Sequence, residues 1–265
     1  MSIPSEKRNV SHQKPVTDTF LIGHLLDIFM INFLNEEVRW VTKSHFRIQT
    51  ALSFLLLFPL LLAATCSQAG DSTIVPIGRF SAQDLSGWEI KKFAKQTRYT
   101  FTNSQGRWEL LARSDGSASG LVKKQKIDLN KTPYLNWSWR AIATPTVTDE
   151  KTKAGDDYAA RVYVIFSTGP WFWNTHALNY VWSNRSPVET SWPNAFTSNA
   201  QMLAIRTKAD IKKTPYTEKR NVKEDIKRIF GKEIDSLEAV AIMTDSDNSQ
   251  TSASAAYGDI YFSAE

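Results

Sequence analysis

The chain has 265 residues with a net charge of +5, and 42% of them are hydrophobic, so it is neither disordered nor short of material for a core. Acidic and basic residues are interleaved, and no basic block stands apart as a nucleic-acid footprint. The single cysteine, Cys66, falls in an export-like leader, so the segment that follows has neither disulfide nor thiolate chemistry.

That leader comes first among the predicted elements. Lys43, His45 and Arg47 precede the apolar run from Ala51 to Ala64, and small residues lead on to Ala69. The order is that of a signal peptide over residues 43–69, with cleavage after Ala69. The run is shorter than the roughly 20 residues of a membrane-spanning helix. Residues 1–42 then read as a misassigned start, with Val41 a natural opening, or as a cytoplasmic tail that makes the uncleaved leader a membrane anchor. Cys66 is the alternative acceptor for a lipid anchor. Either way the remainder, residues 70–265, is expected as one domain that is periplasmic or secreted.

Residues 70–87 read as polar and irregular. Short alternating runs follow: Trp88 to Phe93, Thr97 to Asn103, Arg107 to Arg113, Leu121 to Ile127 and Tyr134 to Ile142. Turn residues separate them, as in Asn103-Ser-Gln-Gly106 and Asn130-Lys-Thr-Pro133. Period-2 alternation puts Leu135, Trp137, Trp139 and Ala141 on one strand face. Lys123, Lys124 and Lys126 read as a solvated strand. After a polar loop come Ala160 to Phe166, Ala177 to Trp182, Met202 to Arg206, Leu237 to Thr244 and Ala256 to Phe262. One helix interrupts them. Asn221 is its N-cap, Val222, Ile226, Ile229 and Phe230 repeat at helical spacing, and Gly231 is its stop. The expected fold is all-β, a jelly-roll-like antiparallel β-sandwich with one short helix.

The chemistry open to such a domain is narrow. Of the four histidines only His176 lies beyond the leader, and no G-x-S-x-G elbow exists. If Ala160 to Phe166 and Ala177 to Trp182 form a hairpin, Asp156, Asp157 and Arg161 lie beside Trp182 and Asn184. If Ala239 to Thr244 is an antiparallel neighbour of the first of these strands, Asp245, Asp247 and Asn248 come to the same rim. Three readings fit. Asp245, Asp247 and Asn248, with the other aspartates, offer the all-oxygen ligands that suit Ca²⁺. Trp171 and Trp182, with Asp156, Asp157, Arg161, Glu218 and Arg220, offer the rings and polar groups of a carbohydrate or cell-envelope site. A purely structural cluster is the third. A carboxylate-dependent glycoside hydrolase pairing Asp156 or Asp157 with Glu218 is the catalytic alternative.

Five segments carry a resemblance: Gly155-Asp-Asp-Tyr-Ala-Ala-Arg-Val-Tyr-Val164, Leu178-Asn-Tyr-Val-Trp182, Glu218-Lys-Arg-Asn-Val222, Phe230-Gly231 and Met243-Thr-Asp-Ser-Asp-Asn248. In this order they resemble the bacterial family DUF3047, over roughly Trp88 to Phe262. The resemblance implies an exported β-sandwich and no established activity, so it carries over no catalytic residue. Pro215-Tyr216 stands where relatives place a Trp, a departure from the family pattern.

Overall fold

The computed structural model describes residues 73–170 and 172–265. The expected leader and tail, Cys66 and Trp171 lie outside them.

Among the described residues thirteen strands form two sheets. The first is built from β1 (Ile74–Gly78), β3 (Arg98–Ser104), β4 (Arg107–Asp115), β6 (Tyr134–Ala143), β11 (Tyr216–Asn221) and β13 (Ser252–Ser263), in the order β11-β6-β13-β4-β3 with β1 also on β13. The second holds β2 (Trp88–Ala94), β5 (Ala118–Asp128), β7 (Arg161–Ser167), β8 (Thr175–Ser183), β9 (Ser191–Pro193), β10 (Ala200–Thr207) and β12 (Ser236–Asp245), in the order β2-β5-β12-β7-β8-β10-β9. The chain crosses between sheets after β1, β2, β4, β5, β6, β10, β11 and β12, the jelly-roll habit expected from the sequence. β8 and β10 run parallel, and the other ladders are antiparallel.

Alternation decides the core. Leu135, Trp137, Trp139 and Ala141 of β6 are all buried, as their parity requires, and meet Leu178, Tyr180 and Trp182 from the facing sheet. Trp137 and Trp139 meet edge-on at 5.5 Å, and Trp139 meets Trp182 edge-on at 5.6 Å. These contacts suit the ring quadrupoles.

The segment read as irregular before Trp88 holds β1 and a 3₁₀ turn that seats Phe80 in the core. Its two anchors, Ile77 and Phe80, are too few for periodicity to register. Tyr216 to Asn221, which is not among the strands expected from the sequence, is the edge strand β11 on β6. Its alternation is hidden because Thr, Glu, Lys and Arg dominate an edge with one wet face.

The helix α1 (Val222–Phe230) has the expected ends. Asn221 Oδ1 accepts from Glu224 N at 3.2 Å, and Gly231 adopts φ 65° at the stop. Val222 and Ile226 enter the core, and Phe230 meets Phe166 edge-on. Removing the cap acceptor in Asn221→Ala is expected to cost about 1 kcal/mol, read as a lowered urea midpoint with an unchanged slope.

Candidate functional site

The seven-stranded sheet has an outer face that is apolar and largely covered. Alternation that turns Val162, Val164 and Phe166 inward turns Arg161, Tyr163 and Ile165 outward. On β8 the outward set is Ala177, Asn179 and Val181, and on β12 it is Ala239, Ala241, Met243 and Asp245. Val122, Ile165, Ala177, Ala200, Ala239 and Ala241 form a second buried cluster under Tyr163. Small side chains at Gly120, Ala241, Ala177 and Ala200 leave a depression across these strands, a cavity of about 70 Å³. Phe93 lines it from β2, and Asn194, Phe196 and Thr197 from the β9–β10 connection.

One end of this groove is the predicted rim. β7 pairs antiparallel with both β8 and β12, so Arg161 lies opposite Val181 and Met243. Asp156, Arg161, Asp245, Asp247 and Asn248 all line the cavity. Arg161 is buried and holds the cluster. Its Nε donates to Asp245 Oδ1 at 3.1 Å and its Nη2 to Asp245 Oδ2 and to the Asp156 carbonyl. Its Nη1 lies 3.6 Å from Asp156 Oδ2, and Tyr158 stacks on the guanidinium at 4.4 Å. Asp157 turns away from the cavity and accepts from Asn248 N at 3.1 Å and Ser249 N at 2.6 Å, fixing the loop after β12. The carboxylate of Asp247 takes its own backbone N–H and no side-chain donor among the described residues.

Charge in so dry a place is costly. Burial pushes the Asp156 carboxyl up to about 6, against the pull of Arg161. Burial, with Asp157 next to it, pushes Asp247 up to about 6 as well. Arg161 stays protonated: burial works against it, and Asp245, Tyr163, Asp156 and Tyr158 together outweigh burial. Burial also raises the Tyr163 phenol, which stays neutral.

Carboxylate oxygens of Asp157, Asp245 and Asp247 lie within 4.8 Å of one another, so the residues expected to hold Ca²⁺ are partly gathered. Two of the three are already satisfied, Asp245 by Arg161 and by Tyr158 N at 3.0 Å, Asp157 by two backbone amides. Asn248 contributes its backbone N–H to the cluster and its side chain to the groove wall. A cation here would compete with the guanidinium.

Three expected site residues lie elsewhere. Trp182 is wholly buried between the sheets, because it shares parity with Leu178 and Tyr180. Proximity of a strand end to the rim does not overrule which way the side chain points. Glu218 sits on β11 and accepts from Trp139 Nε1 at 3.0 Å and from Arg206 at 2.7 and 3.0 Å. Arg220 binds Asp225 at 2.9 and 2.7 Å and Glu189 at 2.6 and 3.2 Å, tying α1 to a loop. Neither lines the groove, so the proposed pairing of Asp156 or Asp157 with Glu218 across a cleft is not formed. His176 stacks on Phe166 at 5.5 Å, and burial lowers its pKa.

Sequence reasoning missed Tyr163, Asn179, Asn194, Phe93 and Phe196, which line the groove. A signal existed: β7, β8 and β12 are apolar on both alternations, which marks a sheet covered or used on both faces. It also missed Glu150. This buried carboxylate accepts from Ser183 Oγ (2.7 Å) and from the backbone N–H groups of Asn184 (2.7 Å), Arg185 (3.1 Å) and Ser186 (2.6 Å), which fixes the turn after β8.

No curated protein matches the chain. Among solved structures it is similar to the family 11 carbohydrate-binding module of cellulosomal cellulase Lic26A-Cel5E of Clostridium thermocellum, at 8% identity and TM-score 0.39, covering 72% of this chain and 93% of that one. It is also similar to a cellulase derived from Cel12A of Rhodothermus marinus, at 12% identity and TM-score 0.42, with coverage of 72% and 100%. The xyloglucanase domain of NopAA, a type three effector from Sinorhizobium fredii, gives 12% identity and TM-score 0.38, with coverage of 67% and 94%. Carbohydrate-binding modules recur among these likenesses. At such scores none of them bears on what this chain binds, which its own side chains decide. Residues 86–261 match the family described as "Protein of unknown function (DUF3047)". Since that match spans well over half of its sequence, the chain belongs to the DUF3047 family.

Proposed function

We propose that the groove over the seven-stranded sheet binds a saccharide segment without catalysis, and that the chain does so after export, as the pattern of residues 43–69 implies. The observation that carries this reading is one cavity combining aromatic walls with an unused buried acceptor. Phe93, Tyr163 and Phe196 offer faces for the apolar side of a sugar ring. Asn179 is almost fully buried, and its Oδ1 has no hydrogen-bond partner. Its Nδ2 donates to Gln201 O at 3.2 Å, which fixes which end of the amide is free. Such an acceptor is costly unless a ligand or water satisfies it. Sugar hydroxyls are donors of that kind.

One observation favours hydrolysis as the second reading. Asp156 and Asp247 both line the cavity with carboxyls pushed up to about 6, within the range of a general acid. Against it, Asp156 is held by Asn194 Nδ2 at 3.2 and 3.1 Å as well as by Arg161.

Calorimetric titration against neutral, acidic and amino oligosaccharides tests the proposal. Tyr163→Ala is expected to weaken a bound glycan roughly tenfold, as loss of an anchoring ring commonly costs more than 1 kcal/mol. Silence across all three glycan classes would defeat the reading. Release of new reducing ends during incubation would replace it with the hydrolase.

A further inference from the structure

Resting on the saccharide reading, the balance of charge and of hydrogen-bonding capacity in this groove points to a narrower class of ligand. Four aspartates, Asp156, Asp157, Asp245 and Asp247, gather around one buried cation, Arg161. Lys153 is exposed, 5.5 Å over the Phe196 ring, and Lys91, opposite Gly120, is 3.7 Å from Glu89. At this end carboxyls outnumber guanidinium groups where water screens charge poorly, and burial holds Asp156, Asp245 and Asp247 above the ordinary carboxylate range, so a cationic ligand would favour their ionised forms.

An independent observation concerns donors and acceptors. Asn179 spends its N–H groups on backbone carbonyls, Asn194 donates to Asp156, and Arg161 donates to Asp245 and Asp156. The Tyr163 hydroxyl donates to the weak acceptor Met243 Sδ at 3.4 Å, which leaves its oxygen lone pairs open. What remains for a ligand at the floor is acceptors, Asn179 Oδ1, Tyr163 Oη and the Asp247 carboxylate, while the Asn248 amide and the Thr197 hydroxyl keep donors at the wall. Tyr163 and Asn179 are register partners, two residues along their strands from Arg161 and Val181. That separation is about 7 Å of strand rise, within the span of one hexose unit.

We infer that the groove selects a glycan bearing a free amine, of the 2-amino-2-deoxyhexose class, with its ammonium at the Asp247 end and its hydroxyls on Asn179 and Tyr163. An ammonium brings three donors, a positive charge and no acceptor. An acetamido group at the same place brings one donor and a carbonyl that faces carboxylates. A neutral hydroxyl brings a donor without the charge. Ca²⁺ fits less well, because it would have to displace Arg161 or the backbone amides that hold Asp157.

The test is calorimetric titration of the protein at pH 7 with three tetramers of the same linkage, built from glucosamine, N-acetylglucosamine and glucose. The glucosamine tetramer is expected to bind at least tenfold tighter than the other two. Asp247→Asn, which removes one charge and no cross-link of the fold, is expected to bring that ratio to near one. Acetylating the glucosamine tetramer tests the same contact without any variant. Equal affinity for all three overturns the amine inference and leaves the saccharide reading intact, whereas no binding by any tetramer removes both. A Ca²⁺-dependent rise in melting temperature that abolishes the preference also overturns it, in favour of a metal site.

Discussion

Arg161→Met is expected to lower stability by about 3–5 kcal/mol at pH 7, the usual consequence of leaving buried ionised partners without their counter-charge. Arg161 is the shared partner of Asp245 and Asp156, and all three side chains are almost fully buried. Its removal leaves carboxylates facing one another in a dry site. Their remaining course is to take up protons. The Asp156 carboxyl already stands at about 6 with Arg161 present, above the ordinary carboxylate range. An acid whose folded pKa exceeds its unfolded one favours the folded state at low pH, and that advantage is lost as pH rises through the folded value. The deficit of Arg161→Met should accordingly shrink between pH 7 and pH 5. Urea midpoints at both pH values check this, and adding Asp245→Asn should restore part of the loss at pH 7. A variant within 1 kcal/mol of the parent at pH 7 would refute the account of the cluster.

The same linkage applies to the parent protein at Asp247. Burial and Asp157 hold its carboxyl at about 6, so ionising it costs the folded state at neutral pH. Asp247→Asn is therefore expected to raise the urea midpoint at pH 7.5 and to have little effect at pH 4. A fall at pH 7.5 would mean that the ionised carboxylate has a stabilising partner.

Trp182→Ala is expected to lose about 3–5 kcal/mol, the range for truncating a large buried aromatic. The indole fills the space between the sheets, edge-on to Trp139 at 5.6 Å and to Tyr216 at 5.8 Å. Trp182→Phe should be milder, because the indole N–H it deletes has no hydrogen-bond partner. Glycan affinity of the Phe variant should stay within about twofold of the parent, since a ring buried between the sheets cannot touch a ligand on the outer face. A folded Phe variant that loses binding would put Trp182 back in the site.

Trp182 also shows where reading the sequence went astray. Its position at the end of β8, beside the acidic rim, is correct, and the conclusion that it faces a ligand is not. The same alternation that buries Trp137 and Trp139 buries Trp182, so parity already held the answer. Glu218 differs, because no pattern in Tyr216 to Val222 announces that its carboxylate meets Trp139 and Arg206. The Asp156, Arg161 and Asp245 cluster was legible from the hairpin and one antiparallel neighbour. Those two pairings fix which strand ends are adjacent. The groove was not legible, because it depends on Phe93 from β2 and on Asn194 and Phe196 from the β9–β10 connection arriving to wall a floor of small residues.

By itself the sequence determined most of the alternating strands, the capped helix ends and the inward face of β6, because all of these follow from periods of 2 and 3.6 along the backbone. It also placed the aspartates at one rim, since antiparallel pairing inverts direction predictably. Only the tertiary structure decided which carboxylates are spent on Arg161, Trp139 or backbone amides, and which acceptors are left over. Those partners lie 79 to 92 residues apart in the chain, and a side chain's local period says nothing about what is packed opposite it.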